Sequence, residues 1–253
     1  MFIQNPRAIL LKYPGTNADE ETARSLSGVG FAVETIPISQ AAPHHFADTK
    51  LVVFPGGFSY GDYVMAGRVA QLVTQQNLPG VLNNFVSAGG HVLGICNGFQ
   101  ILTKLGLLPA GSLIDNTSGR FQCRWVAMRV LNPQNPFLQE LPEECEIEMP
   151  IAHAEGRFVA PEGMAENYLQ EGLVPLAYTE DVNGSSANIA ALQDVSGRVF
   201  GLMPHPERFF FRRHHYDPDW AGDPLHGWGY YFFHSIWLEC SGSRRLLASN
   251  QPN

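Results

Sequence analysis

Short apolar runs alternate with stretches whose apolar positions return every three or four residues. RAILL (7–11), FAVETIPI (31–38), LVVF (51–54) and HVLGI (91–95) are rich in Val, Ile and Leu and read as strands buried on both faces. DEETARSLSG (19–28), AGRVAQLVTQ (66–75) and VLNNFVSAGG (81–90) lie between them and read as helices. This alternation predicts an α/β fold, a doubly wound, mostly parallel sheet covered on both faces. A further helix is expected over 97–106, with Phe99, Leu102 and Leu105 on one side, Ile101 beside them, and Gly106 as its C′ residue. From about 121 the pattern becomes closely spaced extended runs, CRWVAMRVL, CEIEMPIAH, LVPLAYTE, ANIAALQD and RVFGLMPH. These predict an antiparallel extension of the sheet, followed by a helix over 226–240 with Tyr230, Phe233, Ile236, Trp237 and Cys240 at helical spacing. No repeat, low-complexity tract or linker divides the chain, so one domain spanning 1–253 is expected.

Composition narrows the function classes. The 253 residues carry a formal net charge of −8 and only 16% charged residues, so no basic face advertises itself for nucleic acid. The N-terminus lacks a basic stretch followed by an apolar run, and no segment offers about 18 uninterrupted apolar residues; neither a secretory signal nor a membrane span is expected. Cys96, Cys123, Cys145 and Cys240 lie far apart without a C-x-x-C pair, a usage that fits reduced thiols and a cytoplasmic location. Asn116-Thr117-Ser118 and Asn183-Gly184-Ser185 are read as turn chemistry rather than glycosylation sites.

Candidate chemistry centres on Gly94-Ile95-Cys96-Asn97-Gly98, which falls between a predicted strand and a predicted helix. G-x-C-x-G there is the thiol counterpart of a nucleophile elbow, and a helix N-terminus favours thiolate over thiol. Cysteine is also among the most buried residue types, so Cys96 alone leaves a core role open. A second stretch, GLMPHPERF (201–209), shifts the balance. Pro204 and Pro206 oppose helix and favour an extended chain, in which His205 and Glu207 share a face. A carboxylate on one imidazole nitrogen would orient the ring toward a thiol, giving a nucleophile, base and orienter. The third stretch is FPGGFSYGDY (54–63), whose Gly57 N–H, with that of Asn97, is placed to form an oxyanion hole. Ser59 or Asp62 there also reads as a cap of the following helix.

PGGFSYGDY, GICNGFQILTKLGLLP, MPIAHAEGRF and GLMPHPER, in this order and spacing, resemble the glutaminase subunits of phosphoribosylformylglycinamidine synthases, the PurQ family of class I, triad-type glutamine amidotransferases. The similarity runs from about Ala8 to about Arg208. It implies a flavodoxin-like fold and hydrolysis of L-glutamine through a glutamyl thioester, with Cys96 as nucleophile, His205 as base and Glu207 as its partner. Gly57 and Asn97 would supply oxyanion N–H groups and Gln100 would help hold the substrate. The resemblance also implies a partner, the large synthase subunit (PurL), commonly joined by a small bridging subunit (PurS). Those partners would carry the ATP and Mg chemistry, and this chain shows no P-loop of its own; no cofactor or metal is expected in it.

Two departures stand out. The family reads His-Gly-Glu-Gly where this chain has His153-Ala154-Glu155-Gly156; no binding role is carried to Ala154, and His153 and Glu155 are read as turn-stabilising or partner-facing. Residues 209–231 are longer and more aromatic than the family's link to the last helix and are read as a surface extension. Its His214-His215 pair lacks a third metal ligand. Two further readings remain at this point: a γ-glutamyl hydrolase-type cysteine hydrolase on the same scaffold, and a non-catalytic regulatory binding module, against which the complete Cys96, His205 and Glu207 set argues.

Overall fold

The computed structural model describes residues 5–142 and 146–243, so Cys145 lies outside the described residues. The chain runs β1 (Arg7–Lys12), α1 (Asp19–Val29), β2 (Ala32–Pro37), β3 (Thr49–Phe54), α2 (Arg68–Asn77), α3 (Val81–Ser87), β4 (His91–Ile95) and α4 (Asn97–Lys104). It continues through β5 (Ser112–Ile114), β6 (Gln122–Val130), β7 (Glu146–His153), β8 (Arg157–Val159), α5 (Met164–Gln170), β9 (Leu176–Tyr178), β10 (Ile189–Gln193), β11 (Val199–Leu202) and α6 (Trp228–Ser241).

Nine strands form one sheet in the order β2-β1-β3-β4-β11-β10-β9-β6-β7. The first five are parallel, with Leu51 opposite His91 and Leu202 opposite Ile95, and the remaining pairings are antiparallel. The expected doubly wound sheet with an antiparallel extension is therefore present. β4, β10 and β11 are buried at every residue, as strands covered on both faces must be. Asp19, Glu20 and Glu21 occupy the first turn of α1, where the helix dipole favours negative charge. Gly106 adopts φ 72° two residues beyond α4, as expected of a C′ glycine.

Three features differ from the pattern reading. The short antiparallel pair of β5 with β8 and the seven-residue α5 were too brief for periodicity to register. Pro206 does not keep its segment extended: Pro206–Phe209 forms a 3-10 turn, because proline fits the first position of a helical turn, where its missing N–H is not needed. The segment read as a surface extension, 209–231, packs its aromatic residues on β6 before running into α6, with the Trp125 ring 4.9 Å from Phe209 and 4.8 Å from His215 between centroids. Among the described residues no helix is long and apolar enough to cross a membrane.

Candidate active site

Parallel strands present their functional ends at one edge of an open α/β sheet, and β4 delivers Cys96 there. Its backbone sits at φ 51°, ψ −103°, a conformation that costs a residue with a Cβ roughly 1–3 kcal/mol and is held only where the surroundings demand it. Gly98 shows how the turn closes. A Cβ there would lie 1.9 Å from the Phe54 carbonyl oxygen, so a bare Cα lets α4 pack against the end of β3. The turn leaves Cys96 at the head of α4, 6% exposed, with Sγ 3.7 Å from the Ala152 carbonyl oxygen.

His205 follows β11. Its N–H donates to the Pro150 carbonyl at 2.8 Å, and the 3-10 turn curls Glu207 back so that Oε1 lies 2.5 Å from His205 Nδ1. The sequence placed these two residues together through an extended chain; the structure does so through the turn. Both side chains are fully buried, and His205 Nε2 has no hydrogen-bond partner among the described residues. Burial is the largest influence on the ring and favours its neutral form, but the negative charges of Glu207 and Cys96 outweigh it and raise the pKa.

Gly56-Gly57 runs beside this ring. A Cβ on Gly56 would sit 2.9 Å from His205 Cε1, and Gly57 holds φ +146° with Asn17 N 2.7 Å from where a Cβ would be; only glycine takes that conformation freely. Two residues on, the Ser59 N–H donates to Asn97 Oδ1 at 3.2 Å. The loop is thus tied to the first residue of α4, whose own N–H is among those a helix leaves unpaired. Gln100 is buried and engaged at both ends of its amide: Oε1 accepts from Asn97 Nδ2 at 2.8 Å and Nε2 donates to the Glu155 carbonyl at 2.6 Å. It ties the 153–156 turn to α4.

Asp62 accepts from the Gly67 N–H and from Asn97 Nδ2, both at 3.3 Å; neither it nor Ser59 is the cap expected from the sequence, since Gly67 is the N-cap of α2 and no side chain caps that end. Burial first, and then Glu155, push the Asp62 pKa up to about 6. Glu155 Oε2 accepts from the Ala66 N–H at 3.2 Å, and His153 is 3% exposed. Both side chains are thus engaged within the turn, Glu155 with the Ala66 N–H and His153 with Asn116.

Two residues here escaped the sequence reading. Asn116 anchors the 153–156 turn, donating from Nδ2 to the carbonyls of His153 and Arg120, each at 2.9 Å; its N-x-S motif flagged a turn but not this long-range partner. Tyr178, at the end of β9, has a buried hydroxyl without a partner among the described residues, and burial, then the charge of Cys96, raise its pKa. No motif signals it. Among the described residues no cluster of His, Cys, Asp or Glu could hold a metal ion.

A cysteine on a strained strand-to-helix turn, with a buried His–Glu pair at the same edge of a doubly wound sheet, defines a triad-type enzyme with a cysteine nucleophile. Comparison with known proteins agrees: residues 5–234 match the CobB/CobQ-like glutamine amidotransferase domain. Phosphoribosylformylglycinamidine synthase subunit PurQ of Thermotoga maritima is 40% identical over 203 residues, covering 80% of this chain and 88% of that protein. The Zymomonas mobilis protein of the same name is 39% identical over 208 residues, covering 82% and 92%. The structure of PurLQS from Thermotoga maritima contains a chain that superposes with TM-score 0.77 at 36% identity, over 92% of this chain and 98% of that one. The glutaminase domain of Trypanosoma brucei CTPS, at 10% identity and TM-score 0.55, shares the fold. The chain is a glutamine amidotransferase and belongs to the PurQ family.

Proposed function

We propose that this chain is the glutaminase subunit of a phosphoribosylformylglycinamidine synthase, hydrolysing L-glutamine at Cys96 and passing ammonia to a synthase subunit. The observation that carries the reading is the buried His205–Glu207 pair, whose second imidazole nitrogen is left unpartnered beside the strained cysteine.

Cys96 Sγ attacks the side-chain amide carbon, and the N–H groups of Asn97 and Gly57 receive the charge that develops on its oxygen. His205, held in its charged form by Glu207, gives the Nε2 proton to the departing nitrogen as the C–N bond breaks. Water then attacks the glutamyl thioester while His205 takes its proton, releasing glutamate and leaving the Cys96 thiolate beside a recharged His205. Gln100 holds the 153–156 turn in place and offers its second Nε2 N–H to the substrate. The ammonia acceptor and the ATP and Mg that activate it belong to a PurL-type large subunit, with a PurS-type bridging subunit completing a cytoplasmic complex. The homologous PurLQS structure supports that assembly.

The test is intact-mass analysis after exposure to a diazo-ketone norleucine analogue of glutamine, with and without the synthase. One adduct on Cys96, blocked by excess glutamine, is expected, and Cys96→Ala should lower glutamate release by about 10⁴-fold or more. Equal release by wild type and Cys96→Ala would leave only a binding role.

A further inference from the structure

His153 closes β7 beside the nucleophile: the carbonyl joining Ala152 to His153 is the one that lies 3.7 Å from Cys96 Sγ. The ring is pinned and its tautomer is set by the surroundings. Asn116 Nδ2 is committed to two carbonyls, so Oδ1 faces the ring at 3.1 Å from Nδ1 and also accepts the Gly156 N–H at 3.3 Å. Nδ1 therefore carries the proton, and Nε2 carries the lone pair. The ring lies so close to Gly156 that a Cβ there would fall 2.1 Å from Nδ1. Nε2 is buried and has no partner among the described residues. An acceptor left in that state is costly unless something arrives to satisfy it.

The substrate brings what is lacking. A glutamine side-chain amide presents a carbonyl oxygen, which the Asn97 and Gly57 N–H groups suit, and an NH₂ group with two donors that lose their water on binding. His205 is charged and can only donate. We infer that His153 is a further substrate-contacting residue of the glutaminase reaction, its Nε2 accepting an N–H of the glutamine side-chain amide during attack and of the ammonia that leaves. This rests on the glutaminase reading above.

The two imidazoles then divide the work. The C–S bond forms, the C–N bond breaks, and the nitrogen takes its proton from His205; no proton passes to or from His153. Burial first, and the neighbouring charge of His205 second, lower the His153 pKa to about 4. At neutral pH its Nε2 thus has no proton to give, and ammonia resting against it stays uncharged and nucleophilic.

The experiment compares two substrates in the assembled complex: glutamine, and glutamate γ-methyl ester, which offers the same acyl group with no N–H on the leaving group. His153→Leu should lower kcat/KM for glutamine on the order of 10- to 100-fold, the scale of one lost hydrogen bond to a polar group in a closed site. It should lower kcat/KM for the ester by less than about threefold on the same reasoning. His153→Gln, which keeps an acceptor, should recover part of the glutamine loss. Alkylation of Cys96 by the diazo-ketone analogue, which also lacks the amide N–H, should proceed at close to the wild-type rate in both variants. Equal losses on amide and ester, loss of alkylation, or unchanged glutamine turnover would each overturn the assignment. A wild-type complex that released glutamate from neither substrate would instead remove the glutaminase reading beneath it.

Discussion

At His205 burial pulls toward a neutral ring while Glu207 and Cys96 pull toward a charged one, and the second pull wins. The sign has a measurable consequence. A histidine whose pKa is raised by folding contributes stability in full below the unfolded value of about 6.5, and that contribution fades as pH rises through the folded value. With Cys96 retained, the urea midpoint should fall as pH rises from 6.5 toward the folded value of about 10, and Glu207→Gln, compared over the same range, should flatten that fall. Parallel pH profiles for the two proteins would show that the carboxylate does not hold the ring charged. Cys96, His205 and Glu207 were legible in the sequence because each sits in a local motif whose glycines or prolines constrain the backbone. Asn116 and Tyr178 were not, because their roles come from partners far away along the chain, and no spacing rule encodes those. His153 was noticed, but its burial and a ring nitrogen without a partner among the described residues exist only once β7 has been folded back to the nucleophile.

α4 shows what an element needs in order to hold a site. Its apolar residues Phe99, Ile101 and Leu102 are buried, which fixes its rotation, but its distance from the sheet is set by Gly98 against the Phe54 carbonyl. Gly98→Ala should therefore cost about 3 kcal/mol or more, at or beyond the upper end for overpacking, because backbone rather than a side-chain tip must yield. Chemical denaturation checks this, and a loss below about 1 kcal/mol would mean that α4 can lift off β3 freely. Strands and helices of the first half were legible because their hydrophobic period is sustained over a whole element. The 3-10 turn at Pro206–Phe209 was not, since two prolines read as a bar to any helix while the second was in fact starting one. Its outcome for His205 and Glu207 was still right, as both conformations bring the two side chains together.

On the scale of the whole molecule, the sheet bends back on itself. β7 is its last strand and, among the described residues, pairs only with β6, yet two of its outward carbonyls are not left to solvent: Pro150 takes the His205 N–H and Ala152 faces Cys96 Sγ. A nine-stranded twisted sheet accumulates enough coil for its antiparallel end to return to the C-terminal edge of β4 and β11. The pattern of runs along the chain announced an antiparallel half, but the return is a sum of small twists that no stretch of sequence carries by itself. An unprotected strand border is where polypeptides recruit one another into aggregates. Here the catalytic segment itself acts as the guard on that border, with Pro150 adding a position that has no N–H to offer. Loosening the active site and baring an adhesive strand are then one event. On slow heating, glutaminase activity and colloidal stability, followed by light scattering, should fail over the same few degrees, and covalent capture of Cys96 by a substrate analogue should delay both together.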